Sequence, residues 1–250
     1  MDTEVVMKQV RVRVRPRVAW LPRAGHADAD YEDAFAVPSP GGWPYRAAVA
    51  DGATETAFAA WWARALVEGY VAGEAGSPAA LAAMVEGRRA AWQAAVADVL
   101  PAGPWYLADK VREGAAAALL GLTLHEQGTW QALAVGDCCL FHVRGGQVHL
   151  RWPVADPSGF GHRPALVHSR PGPKLAVEER TGIWHPGDRF VLATDALAAW
   201  LMTSRAEAHW TEENFADRIA HDRTRGLRND DVTLVVIDLD PDSGASLARP

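Results

Sequence analysis

An α+β fold, with mainly antiparallel sheet covered by long helices, is what this chain predicts, and three observations predict it. First, strand-like stretches occur in blocks joined by short turns. "DAFAV" (33–37) and "YRAAVA" (45–50) flank the turn-rich "PSPGGWP", and "AAAALLGLTLHEQGTWQALAVGDCCLFHVRGGQVHLRW", from residue 115, carries two turn signals, Glu126-Gln127-Gly128 and Gly145-Gly146. Blocks joined this tightly imply antiparallel pairing, because parallel strands need long crossovers. Second, two helical stretches separate the blocks: residues 54–72, and a helix that Ser77-Pro78 opens as N-cap and first position and that runs to about Leu100. Third, a strand-Asp-helix pattern occurs twice, in "VADGATETAF" and in "FVLATDALAAWL". Amphipathic helices of this length need sheet faces to cover.

The elements follow in order. In "VRVRVRPRVAW" (10–20), Val10, Val12 and Val14 alternate with Arg11, Arg13 and Arg15, the pattern of a half-buried strand whose arginine face is solvated rather than a basic patch. Pro16 cannot donate a ladder bond, so this strand belongs at an edge or at a bulge. In 54–72, Phe58, Trp61, Trp62, Ala65, Leu66 and Ala72 fall on one stripe. A Pro- and Gly-rich loop follows the second helix, residues 153–185 are the least regular, 211–223 read as helix, and "DDVTLVVIDL" is a last β-branched strand. Neither a repeat nor a long linker divides the chain, so one domain is expected over 1–240, with a short tail over 241–250 and fraying from Asp240.

Bulk chemistry narrows the partners. Hydrophobic residues make up 49% and charged residues 22%, enough for a sizeable core. A net charge of -6 argues against nucleic acid or an anionic membrane, both of which need a basic surface. No apolar run reaches the ~20 residues of a membrane span, and the N-terminus lacks a signal-peptide pattern. Cys138 and Cys139 are adjacent in a strand and point to opposite faces, so they suit neither a disulfide nor a shared metal. The expectation is a reduced, cytoplasmic, monomeric protein.

Acidic residues gather at strand ends. Glu32-Asp33 precedes a strand, Asp51 ends one, Asp195 ends another, Asp230 precedes the last, and Asp137 lies in "AVGDCCLF". Taken singly, each aspartate fits a turn or a helix N-cap as well as a ligand, and spacing does not prove convergence. If they converge, two carboxylates about 4 Å apart repel by roughly 4 kcal/mol at an effective dielectric near 20, and a cation must hold them. Oxygen-only donors favour Mg²⁺ or Mn²⁺, and a pair of such ions can activate water and clamp a phosphoryl group.

The set "YEDAF", "VADGA", "AVGDCCLF", "PGDRFVLATDAL" and "NDDVTLVVI" resembles, in order, the motifs of the metal-dependent Ser/Thr protein phosphatases (the PPM family, type 2C phosphatases), bacterial members included. The likeness spans about 30–240. It implies a four-layer α-β-β-α sandwich of two antiparallel sheets flanked by helices. It also implies hydrolysis of phosphoserine and phosphothreonine by a water or hydroxide bridging two ions, Mg²⁺ or Mn²⁺. Asp51 would bridge both ions and the Gly52 carbonyl would bind one. Asp195 and Asp230 would complete the other site, so that Asp51, Asp195 and Asp230 carry catalysis. Glu32 and Asp33 would act through metal-bound waters, and Asp137 would serve a weaker third ion. The partners implied are a phosphorylated protein and a Ser/Thr kinase system that supplies it.

Several positions depart from the family pattern. The arginine that grips phosphate, four before the motif glutamate, is Asp28 here; Arg23, Arg46 and His26 are candidate substitutes. Tyr31 replaces an Asn, Ala196 a Gly, Ala199 a further aspartate, and Asp231 the Asn of D-N, an extra carboxylate beside the site that either strengthens metal binding or is simply solvated. Ala53 stands where some members carry a histidine general acid, leaving His26 and His162 as conceivable acids. These losses support a second reading, a pseudophosphatase or sensor that binds metal or a partner protein with little or no catalysis. Aspartyl-phosphate chemistry and a phosphate-binding P-loop both lack their motifs. Substrate choice would lie in 77–112 and 153–185.

Overall fold

Two antiparallel sheets lie face to face, with a helix pair on the outside of each. The computed structural model describes residues 12–39, 41–53, 56, 58–99, 111–161, 164–172, 174–209 and 212–242. The loop expected at 100–110, most of the tail after Pro241, and His162 lie outside them. The first sheet orders its strands β1 (Val12–Leu21), β11 (Val232–Pro241), β10 (Arg189–Ala193), β6 (Cys139–Arg144) and β7 (Gln147–Trp152). The second orders β2 (Ala34–Ala36), β3 (Tyr45–Gly52), β4 (Ala116–Leu124), β5 (Thr129–Val135) and β9 (Glu178–Ile183), with the short β8 (Val167–His168) also on β4. Helices α1 (Ala59–Val71) and α2 (Pro78–Val99) cover the second sheet; α3 (Asp195–Ser204) and α4 (Phe215–Arg223) cover the first.

Alternation along the strands builds three apolar layers between these four. Between the sheets, Tyr45, Val49, Leu120, Leu122 and Trp130 meet Leu140, Phe190, Leu192, Val235 and Ile237. On the other face of β3 and β4, Ala48, Ala50, Ala117 and Leu119 take the helix side chains Trp62, Leu66, Tyr70 and Leu81. On the outer face of the first sheet, Phe141, Val191, Leu234 and Val236 take Leu197, Leu201 and Ile219. This is why β4 is buried at every position: helices cover one face and the partner sheet covers the other. Cys138 joins the layer between the sheets and Cys139 the layer under α3, the opposite-face placement expected of neighbours in a strand, and both are free thiols.

Local signals behave as their chemistry requires, with three shifts. Pro16 sits on β1, an edge strand that bonds only to β11. Gly145 and Gly146 have φ +56° and +76°, the left-handed pair that closes a two-residue hairpin between β6 and β7. The first shift is in α1, which starts at Ala59 rather than near 54, because Phe58 is itself left-handed, at φ +58°. Its buried stripe is therefore Ala59, Trp62, Ala63, Leu66, Val67 and Tyr70, and Trp61 is exposed. The second is in α4, which begins at Phe215, after another left-handed residue, Asn214. The third is at the end of β11, which keeps its ladder through Asp240 and Pro241, where fraying was expected, and Asp240 pairs with Arg15 at 2.9 Å. Arg17 pairs with Asp238 and Glu212 on the same face, so these arginines are neutralised locally.

The helix pair also fixes the rim of the sandwich. Trp62 Nε1 donates to the Val167 carbonyl at 2.7 Å, and Arg89 Nε donates to the His168 carbonyl at 3.0 Å, so α1 and α2 both fasten β8. Replacing Trp62 by Ala removes a fully buried side chain and that bond. The expected loss is about 3–5 kcal/mol of stability, measured by urea denaturation of the two proteins.

Candidate functional site

Register alone brings the acids together. β2 and β3 are antiparallel with Ala34 opposite Ala50, so Glu32-Asp33, just before β2, lies beside Asp51, near the end of β3. Cys139 pairs with Ala193 and Ala193 with Leu234, which sets the start of β6, the end of β10 and the start of β11 side by side. Asp137, Asp195 and Asp230 therefore occupy neighbouring strand ends at one end of the sandwich. Asp51, Gly52, Asp137, Asp195 and Asp230 line one open cavity of about 690 Å³, together with Thr56, Leu166, His168 and Arg228.

Asp51 is a strand residue paired with Ala118, eight positions before the start of α1, so it does not cap that helix. Asp195 is the first residue of α3, after the N-cap position held by Thr194. A carboxylate in the first turn gains from the helix dipole. Gly52 is required for close approach: a Cβ there would stand 2.4 Å from the Glu32 carbonyl and 3.1 Å from Ala59 Cβ. The missing side chain lets the segment before β2, the end of β3 and the start of α1 meet at the cavity edge.

Behind the cavity wall, hydroxyls and amides hold the acids that do not face it. Asp33 is buried and accepts from Thr233 Oγ1 at 2.7 Å, with the Thr194 hydroxyl as a second partner. Tyr31, in the place of the family's Asn, puts its hydroxyl on Thr233 Oγ1 and its ring against Trp20 at 4.6 Å. The Thr233 amide in turn donates to Thr194 Oγ1 at 3.0 Å. Asp231 is neither solvated nor turned into the cavity. It is buried, and its oxygens accept from the Arg23 amide at 2.8 Å and the Glu32 amide at 2.7 Å, which staples the segment before β2 to the start of β11.

Electrostatics mark the cluster. Burial, then Asp33, Asp195, Asp230 and Asp137, raise the Asp51 carboxyl well above its ordinary range. Burial raises Asp33 and Asp230 as well, against the pull of hydroxyls on the first and of Arg228 on the second. Arg228 supplies positive charge: its Nη2 bonds Asp195 Oδ2 and lies 3.1 Å from Asp230 Oδ2. Asp137 Oδ2 and Asp195 Oδ1 are buried without a hydrogen-bond partner among the described residues. Among those residues no three His, Cys, Asp or Glu close into a ready cage. The donor set nonetheless suits a hard divalent cation: oxygen only, strongly anionic, with two orphaned carboxylate oxygens at one cavity.

Of the sequence candidates, Asp51, Gly52, Asp137, Asp195 and Asp230 share the cavity, whereas Glu32 and Asp33 stand outside its wall. Arg46 is at the far end of β3, its guanidinium against Gly73, and His26 is exposed beside Asp30. Ala199 lines a separate hollow of about 340 Å³ with Phe160 and Trp200. The sequence reading missed Arg228 and His168. Arg228 stands two residues before Asp230 and could have been weighed for that reason; His168 lies in the irregular 153–185 segment, which carries no local signal.

Two outcomes follow. Thr233→Val keeps the shape but strands the Tyr31 hydroxyl and Asp33, and should cost about 1–3 kcal/mol in denaturant unfolding. Burial, then Asp195, pushes the Asp137 carboxyl up to about 6 from 3.8. A value raised in the folded state stabilises the fold fully below about 4 and is lost as pH rises through about 6. Metal-free protein should therefore melt higher at about pH 5 than at about pH 7, and Asp137→Asn should shrink that difference in a thermal scan.

The family model described as protein phosphatase 2C matches residues 23–232. Among solved structures, the serine/threonine phosphatase PstP/Ppp of Mycobacterium tuberculosis is 18% identical, with a TM-score of 0.65 over 91% of this chain and 99% of that one. The PstP catalytic domain in complex with two manganese ions is 19% identical, with a TM-score of 0.62 over 92% and 99%. The PPM Ser-Thr phosphatase MsPP of Mycobacterium smegmatis, in complex with cacodylate, is 19% identical, with a TM-score of 0.59 over 90% and 98%. No curated protein matches the sequence. The strand-end acids thus sit in a fold shared with these phosphatases, and the match over most of its length makes the chain a member of the protein phosphatase 2C family.

Proposed function

We propose that this chain is a metal-dependent phosphatase that hydrolyses phosphoserine and phosphothreonine in proteins. One observation carries the reading: four carboxylates from separate strand ends, Asp51, Asp137, Asp195 and Asp230, line a single open cavity with Gly52. Asp51 and the Gly52 carbonyl would hold ions from the β3 side, Asp195 and Asp230 from the opposite sheet, and Asp137 a weaker third. Glu32 and Asp33, set back from the wall, would act through water. Mg²⁺ or Mn²⁺ fits these donors, and the manganese named for PstP supports the choice. Two such ions, when bound, lower the pKa of a water and neutralise charge on a phosphoryl group.

The chain's own residues supply position. Thr233 and Thr194 fix Asp33, Asp231 fixes the backbone of Glu32, and the α3 terminus fixes Asp195. Ala53 has no proton to give the leaving oxygen, and His168 is the imidazole in the described wall. The wall also takes Pro164, Leu166 and His168 from β8 and the residues just before it, where a protein substrate would be read. Among the described residues no helix is long and apolar enough to cross a membrane.

A second reading, a sensor that binds metal or a partner without turnover, is favoured by one observation. Arg228 already supplies counter-charge to Asp195 and Asp230. Calorimetry with Mn²⁺, run beside an assay on p-nitrophenyl phosphate and phosphopeptides, separates the two. The enzyme reading expects metal uptake with phosphate release, and a fall of about a hundredfold or more in Asp51→Asn, since even outer-shell changes cost 10–100-fold. Metal uptake without release would favour the sensor. No release with excess Mn²⁺, and no effect of Asp51→Asn, would end the enzyme reading.

A further inference from the structure

We infer that Arg228 is the residue that grips the substrate's phosphoryl group, replacing the arginine whose place Asp28 takes; this rests on the phosphatase reading of the cavity. A phosphate dianion entering a wall of four carboxylates needs a cation other than the ions those carboxylates hold. Asp28 offers the wrong sign and lies exposed in the turn at 28–30. Arg46 is remote, and Arg23 and His26 do not line the cavity. Arg228 does line it, and is the one arginine or lysine among the described residues that do.

The geometry suits that role in three ways. The Arg228 side chain is 54% exposed, so a substrate can reach it. Both of its ion pairs use Nη2, and its Nε and Nη1 make no hydrogen bond among the described residues, which leaves edges of the guanidinium to donate. A planar guanidinium presents paired N–H groups that match phosphate oxygens. Finally, Asp195 and Arg228 also line the smaller hollow of about 340 Å³, so the guanidinium stands at the junction of two open spaces and has room to turn. Divalent cations taken up by Asp195 and Asp230 would compete for the oxygens that Arg228 now holds. The side chain released from them is the cation left facing an incoming phosphate.

The test compares wild type, Arg228→Gln and Arg228→Lys as full chains. Each is titrated by calorimetry with Mn²⁺, then, loaded with Mn²⁺, with inorganic phosphate; p-nitrophenyl phosphate kinetics run in parallel. The expected result is phosphate affinity at least tenfold weaker in Arg228→Gln, with KM rising in step, and partial recovery in Arg228→Lys, which keeps the charge but not the fork. Mn²⁺ affinity should stay the same or tighten up to about fivefold, the range an exposed ion pair contributes. Unchanged phosphate affinity in Arg228→Gln would overturn the inference, as would a loss that only follows weakened Mn²⁺ binding. A wild type that binds Mn²⁺ and phosphate without turnover would remove the phosphatase reading, while the affinity comparison still decides Arg228. A wild type that binds no phosphate overturns the inference, and one that also releases none from p-nitrophenyl phosphate overturns both.

Discussion

Mutual repulsion among carboxylates at one end of the sandwich is the constraint on which the rest of the site depends. Asp33, Asp51, Asp137 and Asp230 each hold a proton more tightly because of burial and the carboxylates beside them, Asp195 among those neighbours. Water screens them incompletely there, because Asp33 and Asp137 are buried and Asp51, Asp195 and Asp230 only partly exposed. Each polar arrangement nearby lowers this cost. Thr233 and Thr194 donate to Asp33, the α3 terminus receives Asp195, and Arg228 spans Asp195 and Asp230. None of these satisfies Asp137 Oδ2 or Asp195 Oδ1 within the described residues, and that remainder is what a bound cation would relieve.

The fold makes the convergence possible because it separates support from chemistry. The layer between the sheets fixes the strand registers, and the registers fix which strand ends meet. The helix layers hold the rim: Trp62 and Arg89 tie β8 down, which places Pro164, Leu166 and His168 at the cavity. A second charged centre shows the contrast. Asp188, at the opposite end of β10, accepts from His142, Arg144 and the His185 amide; these bonds hold its carboxyl below the ordinary range, against the opposing pull of burial. A satisfied aspartate of that kind supports the sheet, whereas the cavity aspartates keep unsatisfied oxygens.

Much of this was legible in the sequence, and the limits have physical causes. The strand blocks, the hairpin at Gly145-Gly146, the edge position of Pro16 and the opposed cysteines all follow from local chemistry. Helix starts were less legible: Phe58 adopts left-handed backbone that a phenylalanine does not announce, and Asn214 adopts it as an asparagine can without being obliged to, so α1 and α4 begin later than periodicity suggests. The motif order marked which acids matter, but long-range pairing decides what each side chain does. Asp231 read as an extra carboxylate at the site, yet the amides of Arg23 and Glu32, about 200 positions away in sequence, consume its oxygens. His168 was invisible for the same reason, since only the fold brings it to the cavity, whereas Arg228 had a local clue in its place two residues before Asp230.

The measurement that bears most directly on the account is anomalous scattering from crystals of the protein soaked in MnCl₂. The account expects two manganese peaks in the cavity, one shared between Asp51 and Gly52 and one reached by Asp195 and Asp230, with Arg228 drawn off those two carboxylates. A map with no manganese in the cavity at millimolar Mn²⁺, and Arg228 still joining Asp195 to Asp230, would contradict it.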